Sequence, residues 1–332
     1  MKPKIAIEIG TSYTKIYKAR EDVVLFEPTL IAIKNGNYKK PIAVGEEAEK
    51  LIGKTTSDIQ IIRPVNNTEI VDFKGLTSML NAFISKIRKK GEFIKDALLV
   101  VGCGSDRQII SNFEKALSTI KIYNVCEAES PILSLIGEDI PISSTSCGAI
   151  IDLGGGQTTI CVLTSKGVIS GLSAEIGGNT LDKMIATHCE KKLEITLSLK
   201  QIEILKKSVA SLVEDDLTKI VCTGKDPFSG KTKTMNISAS QIIEPVKEFA
   251  DKIIKIAGIV LNKLPDEALI EINKNGIHLC GGGSNLYGIA EYLSSSLGFK
   301  CEVLSEPQLA SIIGAGKLVE DKELLNKLKL HS

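Results

Sequence analysis

Two stretches of this chain carry residue types suited to phosphate chemistry. The first is Ile5-Ala6-Ile7-Glu8-Ile9-Gly10-Thr11-Ser12-Tyr13-Thr14-Lys15, and the second is Ala149-Ile150-Ile151-Asp152-Leu153-Gly154-Gly155-Gly156-Gln157-Thr158-Thr159. Each reads as an apolar strand, an acidic residue at its end, a glycine turn with hydroxyls, and a second strand. Glycines permit positive φ and close approach of the backbone to a ligand. Successive amides in such a turn form an anion-binding nest. Hydroxyls add donors, and the acidic residue can hold Mg²⁺ directly or through water. A third cluster, Gly281-Gly282-Gly283-Ser284, follows the apolar run at 276–280. One hairpin alone is equally well a plain glycine turn. Two in similar strand contexts, about 140 residues apart, point to a nucleotide clamped between two similar domains.

The surrounding pattern supplies the elements that must position these turns. Strands are expected at 4–9, 14–18, 23–26 and 29–33, a short helix at 44–53 and a connecting segment at 63–72. Apolar residues at Leu76, Met79, Leu80, Phe83, Ile84 and Ile87 predict an amphipathic helix over 73–89. A strand at 97–102, a helix at 107–118, a strand at 121–126 and a helix at 131–137 lead to the second hairpin at 148. Helices at 178–192 and 199–213 follow, then a hairpin over 217–222 and 232–237, and a long helix capped by Ser238. A strand at 276–280, a helix to 296, a strand at 301–304 and a helix at 307–319 close the pattern. Alternation of this kind predicts an α/β class.

Composition narrows the function. The chain has 332 residues, a formal net charge of +1 and no tryptophan, so nothing drives it toward nucleic acid. Its eight cysteines form no C-x-x-C pair, which predicts buried thiols in a reducing cytosol rather than a disulfide framework. Met1-Lys2-Pro3-Lys4 runs straight into a strand, so no signal peptide is expected. No run approaches the roughly 18 apolar residues of a membrane span. His188, beside Cys189, and His278, inside an apolar strand, are read as packed residues rather than metal ligands.

These residues resemble the actin-fold ATPases, and within them the rod-shape-determining bacterial actins of the MreB family. The resemblance runs nearly end to end. It is most specific between residues 27 and 73, at Glu27-Pro28-Thr29-Leu30-Ile31-Ala32-Ile33, Val44-Gly45-Glu46-Glu47-Ala48, Ile52-Gly53-Lys54-Thr55, Ile62-Arg63-Pro64-Val65 and Ile70-Val71-Asp72-Phe73. Gly177-Gly178-Asn179-Thr180-Leu181-Asp182 and Gly314-Ala315-Gly316-Lys317 extend it. The resemblance implies an actin-like ATPase fold: two similar domains with ribonuclease H-like sheets around a nucleotide cleft, each with a smaller subdomain. Domain I would be 1–140 plus a C-terminal helix at 315–332, with a subdomain at about 33–66; domain II would be 141–314, with a subdomain at about 180–240. ATP or ADP with Mg²⁺ is the implied cofactor. Gly10, Thr11, Ser12 and Thr14 would contact the phosphates from one side, and Gly154, Gly155, Gly156 and Thr158 from the other. Asp152, with Glu8, would position Mg²⁺ through water. Gly281, Gly282, Gly283 and Ser284 would lie by the adenosine and α-phosphate. Glu203 and Lys206, three apart on one helix face, would flank adenine and ribose; the competing reading is a solvated ion pair.

Three departures from the family pattern fall on the chemistry. Glu8 stands where Asp is usual, and Gln157 where Thr follows the glycines. The family's Glu-Glu-Pro motif becomes Glu129-Ser130-Pro131, so Ser130 occupies the position that polarises the attacking water. A serine cannot act as general base without an activating partner, and losing such a group costs on the order of 10²–10⁴ in rate. Either Glu129 substitutes after a local shift, or ATP hydrolysis is slow. Ser130-Pro131 is also good helix-start chemistry by itself.

Function follows from the resemblance as an expectation: an ATP-binding, filament-forming cytoskeletal protein, cytoplasmic, peripheral to the inner membrane and tied to cell shape through wall-synthesis proteins. The basic segment Lys86–Lys95, with Phe93 and Ile94, sits where the family touches the membrane. Each Lys or Arg there would contribute ~1 kcal/mol toward an anionic leaflet. The competing reading is a solvated basic helix end followed by a core-facing Phe. The alternatives are a nucleotide-binding scaffold without hydrolysis and, more remotely, a small-molecule kinase. A chaperone ATPase is disfavoured because no substrate domain follows residue 332.

Overall fold

The computed structural model describes residues 3–330, which divide into two units. Among the described residues, the first comprises 3–146, 163–167 and 308–330, and the second 147–162 and 168–307.

The first unit runs β1 (Ile5–Ile9), β2 (Tyr13–Lys18), β3 (Asp22–Pro28), β4 (Ile31–Lys34), β5 (Ala43–Val44), α1 (Glu46–Glu49), β6 (Ile59–Ile62), β7 (Val65–Asn66) and β8 (Glu69–Ile70). It continues through α2 (Phe73–Ile87), β9 (Asp96–Val101), α3 (Arg107–Thr119), β10 (Asn124–Glu129) and α4 (Ser130–Gly137). Its main sheet has the order β10-β9-β1-β2-β3, with β1 antiparallel to β2 and parallel to β9. Strand alternation divides the core. Ile5, Ile7 and Leu99 pack with Leu76, Met79 and Phe83 of α2, while Ala6 and Leu98 face the opposite way, toward Leu133. A central strand buried on both faces needs this near-continuous apolar composition. Asp72 starts α2 by accepting the Gly75 amide at 2.8 Å, and Asp106 starts α3 through the Gln108 amide at 2.7 Å.

The second unit contains β11 (Gly148–Leu153), β12 (Thr158–Thr164), β13 (Gly167–Ala174), α5 (Gly178–Lys192), α6 (Leu199–Val209), β14 (Lys219–Lys225) and β15 (Thr232–Ser238). It then has α7 (Ala239–Leu261), α8 (Asp266–Asn275), β16 (Ile277–Cys280), α9 (Ile289–Leu297) and β17 (Cys301–Val303). Its sheet order, β13-β12-β11-β16-β17, repeats the plan of the first unit read as β3-β2-β1-β9-β10. Gln241 accepts the Ser238 amide at 2.9 Å at the start of α7. Pro245, inside α7, has no N–H for the Gln241 carbonyl. His188 Nε2–H donates to that carbonyl at 2.8 Å, which gives this histidine a structural role.

The chain returns to the first unit with α10 (Ala310–Glu320) and α11 (Lys322–Leu328). Here α10 crosses α4 at backbone contact. A Cβ on Gly314 would lie 1.8 Å from the Leu133 carbonyl oxygen, and one on Gly137 2.1 Å from that of Ala310. Lys317 Nζ donates to the Ile136 and Gly137 carbonyls at 2.9 Å, tying down the last turn of α4.

Several elements depart from expectation. The strand placed at 121–126 lies at 124–129, because Lys121 takes a left-handed φ of 71° and the Tyr123 and Asn124 amides both bond the Lys95 carbonyl. The 44–53 helix contracts to Glu46–Glu49, and the 199–213 helix ends at Val209, where Ala210 turns extended. Helix α8 was missed, and the C-terminal helix expected at 315–332 is divided between α10 and α11, with Asp321 extended between them. Of the eight cysteines, six are buried and Cys103 and Cys126 are partly exposed; none is bridged.

Candidate functional site

The two glycine turns have one backbone design. The Gly10 amide donates to the Tyr13 carbonyl at 3.0 Å, and the Gly154 amide to the Gln157 carbonyl at 2.9 Å. A Cβ on Gly10 would lie 2.9 Å from Tyr13 O, and one on Gly154 2.8 Å from Gln157 O. Only glycine fits either position.

Around the first turn, side chains do the fastening. Thr11 Oγ1 donates to the Asn67 carbonyl at 2.9 Å. Thr29 Oγ1 donates to the Gly10 carbonyl at 2.8 Å and shares a 3.0 Å hydrogen bond with Thr14 Oγ1. Glu8, opposite Lys15 in the β1–β2 register, accepts from Lys15 Nζ at 2.9 Å and from Ser311 Oγ at 2.5 Å. Both Glu8 oxygens thus have partners within the first unit. Lys15 and Ser311 escaped the sequence reading. Lys15 could have been found from hairpin register, whereas Ser311 is 303 residues away.

Around the second turn the backbone does this work. The Gly178 amide donates to the Gly154 carbonyl at 3.0 Å and the Asn179 amide to the Gly155 carbonyl at 2.8 Å, so the start of α5 holds the turn. A Cβ on Gly177 would lie within 2.8 Å of Gly155 O, Gly156 C and Gln157 N. The third cluster packs against the same turn. Gly281, at φ 79°, would place a Cβ 2.5 Å from Asp152 Oδ1 and Leu153 O. Gly283 sits against Leu153, and Gly282 is exposed.

Three hydroxyls expected at the ligand point inward. Thr14 and Thr158 are fully buried, and Thr158 Oγ1 donates to the Ile176 carbonyl at 2.6 Å. Each is the first buried position of its second strand, so strand alternation turns it from the turn toward the core. Ser284 is buried and bonds the Gly281 carbonyl at 2.6 Å. Thr11 is buried as well, while Ser12 remains partly exposed at its turn.

Glu203 and Lys206 do not pair with each other. Lys206 Nζ reaches Asp182 Oδ2 at 2.8 Å and the Gly178 carbonyl at 3.1 Å, while Glu203 takes Lys207 at 2.7 Å. Burial raises the Asp182 pKa, and Lys206 offsets part of that rise. Asp182 Oδ1 is buried without a hydrogen-bond partner among the described residues.

Ser130, expected at the position that polarises the attacking water, is buried at the first turn of α4, and its carbonyl accepts from Ser134 Oγ at 2.9 Å. Glu129 Oε1 accepts the Gly104 amide at 2.9 Å. Two residues earlier on β10, Glu127 is 3% exposed and lies 3.4 Å from Arg107 Nη1, whose Nη2 is 3.4 Å from Glu114. Burial, reinforced by Glu114, pushes the Glu127 carboxyl up to about 7 against the opposing pull of Arg107.

The membrane pair separates. Phe93 is 71% exposed, but Ile94 is 6% exposed and packs in the first unit's core. Ile94 begins the approach to β9 and is no membrane residue; Phe93, expected to face the core under the alternative reading, faces outward. Part of the basic cluster is paired: Lys86 with Glu27 at 2.6 Å and Lys89 with Glu21 at 2.7 Å. Among the described residues no helix is long and apolar enough to cross a membrane, and no group of three potential metal-ligating side chains occurs.

Comparison with known proteins sets this geometry in a family. A profile of the MreB/Mbl protein family matches residues 2–327. The chain is 29% identical over 331 residues to the cell shape-determining protein Mbl of Bacillus subtilis, covering 98% of each. It is 26% identical over 326 residues to the cell shape-determining protein MreB of Escherichia coli, covering 95% of this chain and 93% of that one. The crystal structure of MreB 5 of Spiroplasma citri bound to AMPPNP superposes with a TM-score of 0.91 at 26% identity, covering 97% of each chain. With an actin-like α/β fold, two sheets of one plan and a match across nearly its whole length, the chain belongs to the MreB/Mbl family.

Proposed function

We propose that this protein is an ATP-binding bacterial actin homologue that assembles into cytoskeletal filaments and serves cell shape. The observation that carries this reading is the family match over residues 2–327, together with a glycine turn at the same topological place in both sheets. Each unit supplies its own phosphate turn. The turn amides would receive phosphate oxygens, and Gly10 and Gly154 keep the backbone bare enough for that approach. Asp152 is the acidic residue suited to Mg²⁺, which would supply charge neutralisation at the phosphates. Lys206, held by Asp182 and the Gly178 carbonyl, would flank the ribose and adenine. Glu203 lies on the same helix and joins that surface.

Hydrolysis is the step this chain's residues support least. Ser130 has no carboxylate, and Glu129 is tied to the Gly104 amide. Its role here is to hold the start of α4, so nucleotide turnover is slow and a long-lived, nucleotide-bound polymer results. Association with an anionic membrane would rest on Phe93 with exposed Arg88, Lys90 and Lys95, strengthened by repetition along a filament. Wall-synthesis proteins are the partners this role calls for.

Sedimentation with ATP, ADP or AMPPNP, with phosphate release measured in the same samples, tests the proposal. Pelleting with little phosphate release is the expected result. Brisk release abolished by Glu129→Gln would restore Glu129 as the catalytic group. No pelleting with any nucleotide, with or without anionic vesicles, would overturn the filament reading.

A further inference from the structure

The two five-stranded sheets have four edges, and three carry obvious protection. β3 reads Asp-Val-Val-Leu-Phe-Glu-Pro, β10 reads Asn-Val-Cys-Glu-Ala-Glu, and β17 is three residues long with a central Glu302. Charges, proline and shortness are the usual means by which an edge avoids pairing with another chain. β13 has none of them. It is eight residues long, reads Gly-Val-Ile-Ser-Gly-Leu-Ser-Ala without a charge, and lies at the end of its sheet. Val168 and Ile169 are 42% exposed and Leu172 38%. The Ser170 side chain bonds the Val260 carbonyl of α7 at 3.3 Å, so Val168 and Leu172, two residues either side of it, lie on the α7 face. Ile259, next to that carbonyl, is 49% exposed.

We propose that β13 pairs antiparallel with β13 of a second copy of this chain, about a two-fold axis at Ser170. An antiparallel pair related by such an axis places only residues of one sheet face opposite each other. Centred on Ser170, the register sets Val168 of each copy against Leu172 of the other, joining four apolar side chains in one stripe. Centred on Gly171, it sets Val168 against Ala174 and Ile169 against Ser173, a poorer match. Lys166 and Glu175, the charged residues nearest the strand, both lie outside its eight residues and are exposed, so neither places a charge within the paired stretch. The contact is isologous and self-limiting, unlike the head-to-tail contact of a filament. A pair of eight-residue strands falls short of the ~1,200 Å² of a stable standalone interface. Its natural role is therefore to join subunits already gathered in a polymer, where effective concentration is high.

The test is disulfide trapping in the full-length chain at high protein concentration, with and without ATP. Val168→Cys and Leu172→Cys are made separately and together. Within one strand these positions are ~13 Å apart, too far for an internal bridge. The double variant and an equimolar mixture of the two single variants are expected to give a covalent dimer at least tenfold above the wild type, whose own cysteines report the background. Each single variant alone should stay at background. Absence of the dimer from both the double variant and the mixture would overturn the proposal, as would equal trapping by a single variant alone. Leu172→Lys, at an exposed site, is expected to lower the dimer fraction of the otherwise unchanged chain severalfold while leaving nucleotide affinity untouched. That separates failure of this contact from failure of the nucleotide and filament reading.

Discussion

The two glycine turns share one backbone hydrogen bond and one sheet position, yet they are secured by different means. The first is held by side chains: Thr11 on Asn67, Thr29 on Gly10, and Glu8 between Lys15 and Ser311. The second is held by main chain, with two amides of α5 on its carbonyls and Gly177 and Gly281 pressed against it where no Cβ fits. A side-chain network tolerates loss of one member, since the remaining hydrogen bonds keep their geometry. A backbone-to-backbone contact has no slack, because the displaced atoms belong to the turn itself. The second turn should therefore be the brittle one and the first the tunable one.

Gly177→Ala is expected to do the most damage. Its Cβ collides with three backbone atoms of the turn, and overpacking of this kind costs about 3 kcal/mol. Chemical denaturation should show that loss together with collapse of ATP affinity; a well-folded variant binding normally would break the contrast. Lys206→Met comes next. It strands Asp182, whose other oxygen is already unpaired, but the pair is about one-fifth exposed, so the cost is about 2 kcal/mol, below that of a fully buried pair. Adding Asp182→Leu should recover much of it, and a double-mutant cycle measures the coupling.

Glu127→Gln acts on the first unit through pH. The folded carboxyl, raised to about 7, holds a proton where the unfolded one has lost it. Stability is therefore full below the ordinary carboxylate range and declines as pH rises toward and through about 7, by at most ~1.4 kcal/mol per pH unit. The glutamine variant should flatten that slope in denaturation measured between pH 5 and 8. Smallest is Thr14→Val, which removes one shared hydroxyl bond while Thr29 keeps its bond to Gly10, for about 1 kcal/mol. ATP affinity should hardly change, because the Thr14 hydroxyl faces the core. A large loss of affinity would return Thr14 to the ligand.

Local patterning made much of this molecule readable. Ser238 announced its helix, the spacing from Leu76 to Ile84 announced the buried face of α2, and both glycine turns were recognisable with their acidic neighbours. Where two patterns competed, tertiary contact chose. Residues 121–126 read as a strand, yet pairing with β9 drew the strand to Asn124–Glu129. The family motifs likewise did not show where the hydroxyls point: Thr14, Thr158 and Ser284 are buried and bond protein partners.

The sequence by itself determined the α/β class, the doubled glycine turn and the family, because each is written in contiguous residues. Only the tertiary structure decided that Glu8 belongs to Lys15 and Ser311, that Lys206 belongs to Asp182, that Ile94 is core, and that β13 is an unprotected edge. Those outcomes depend on which distant segments share a face, and a charged or apolar side chain takes the partner that burial places beside it.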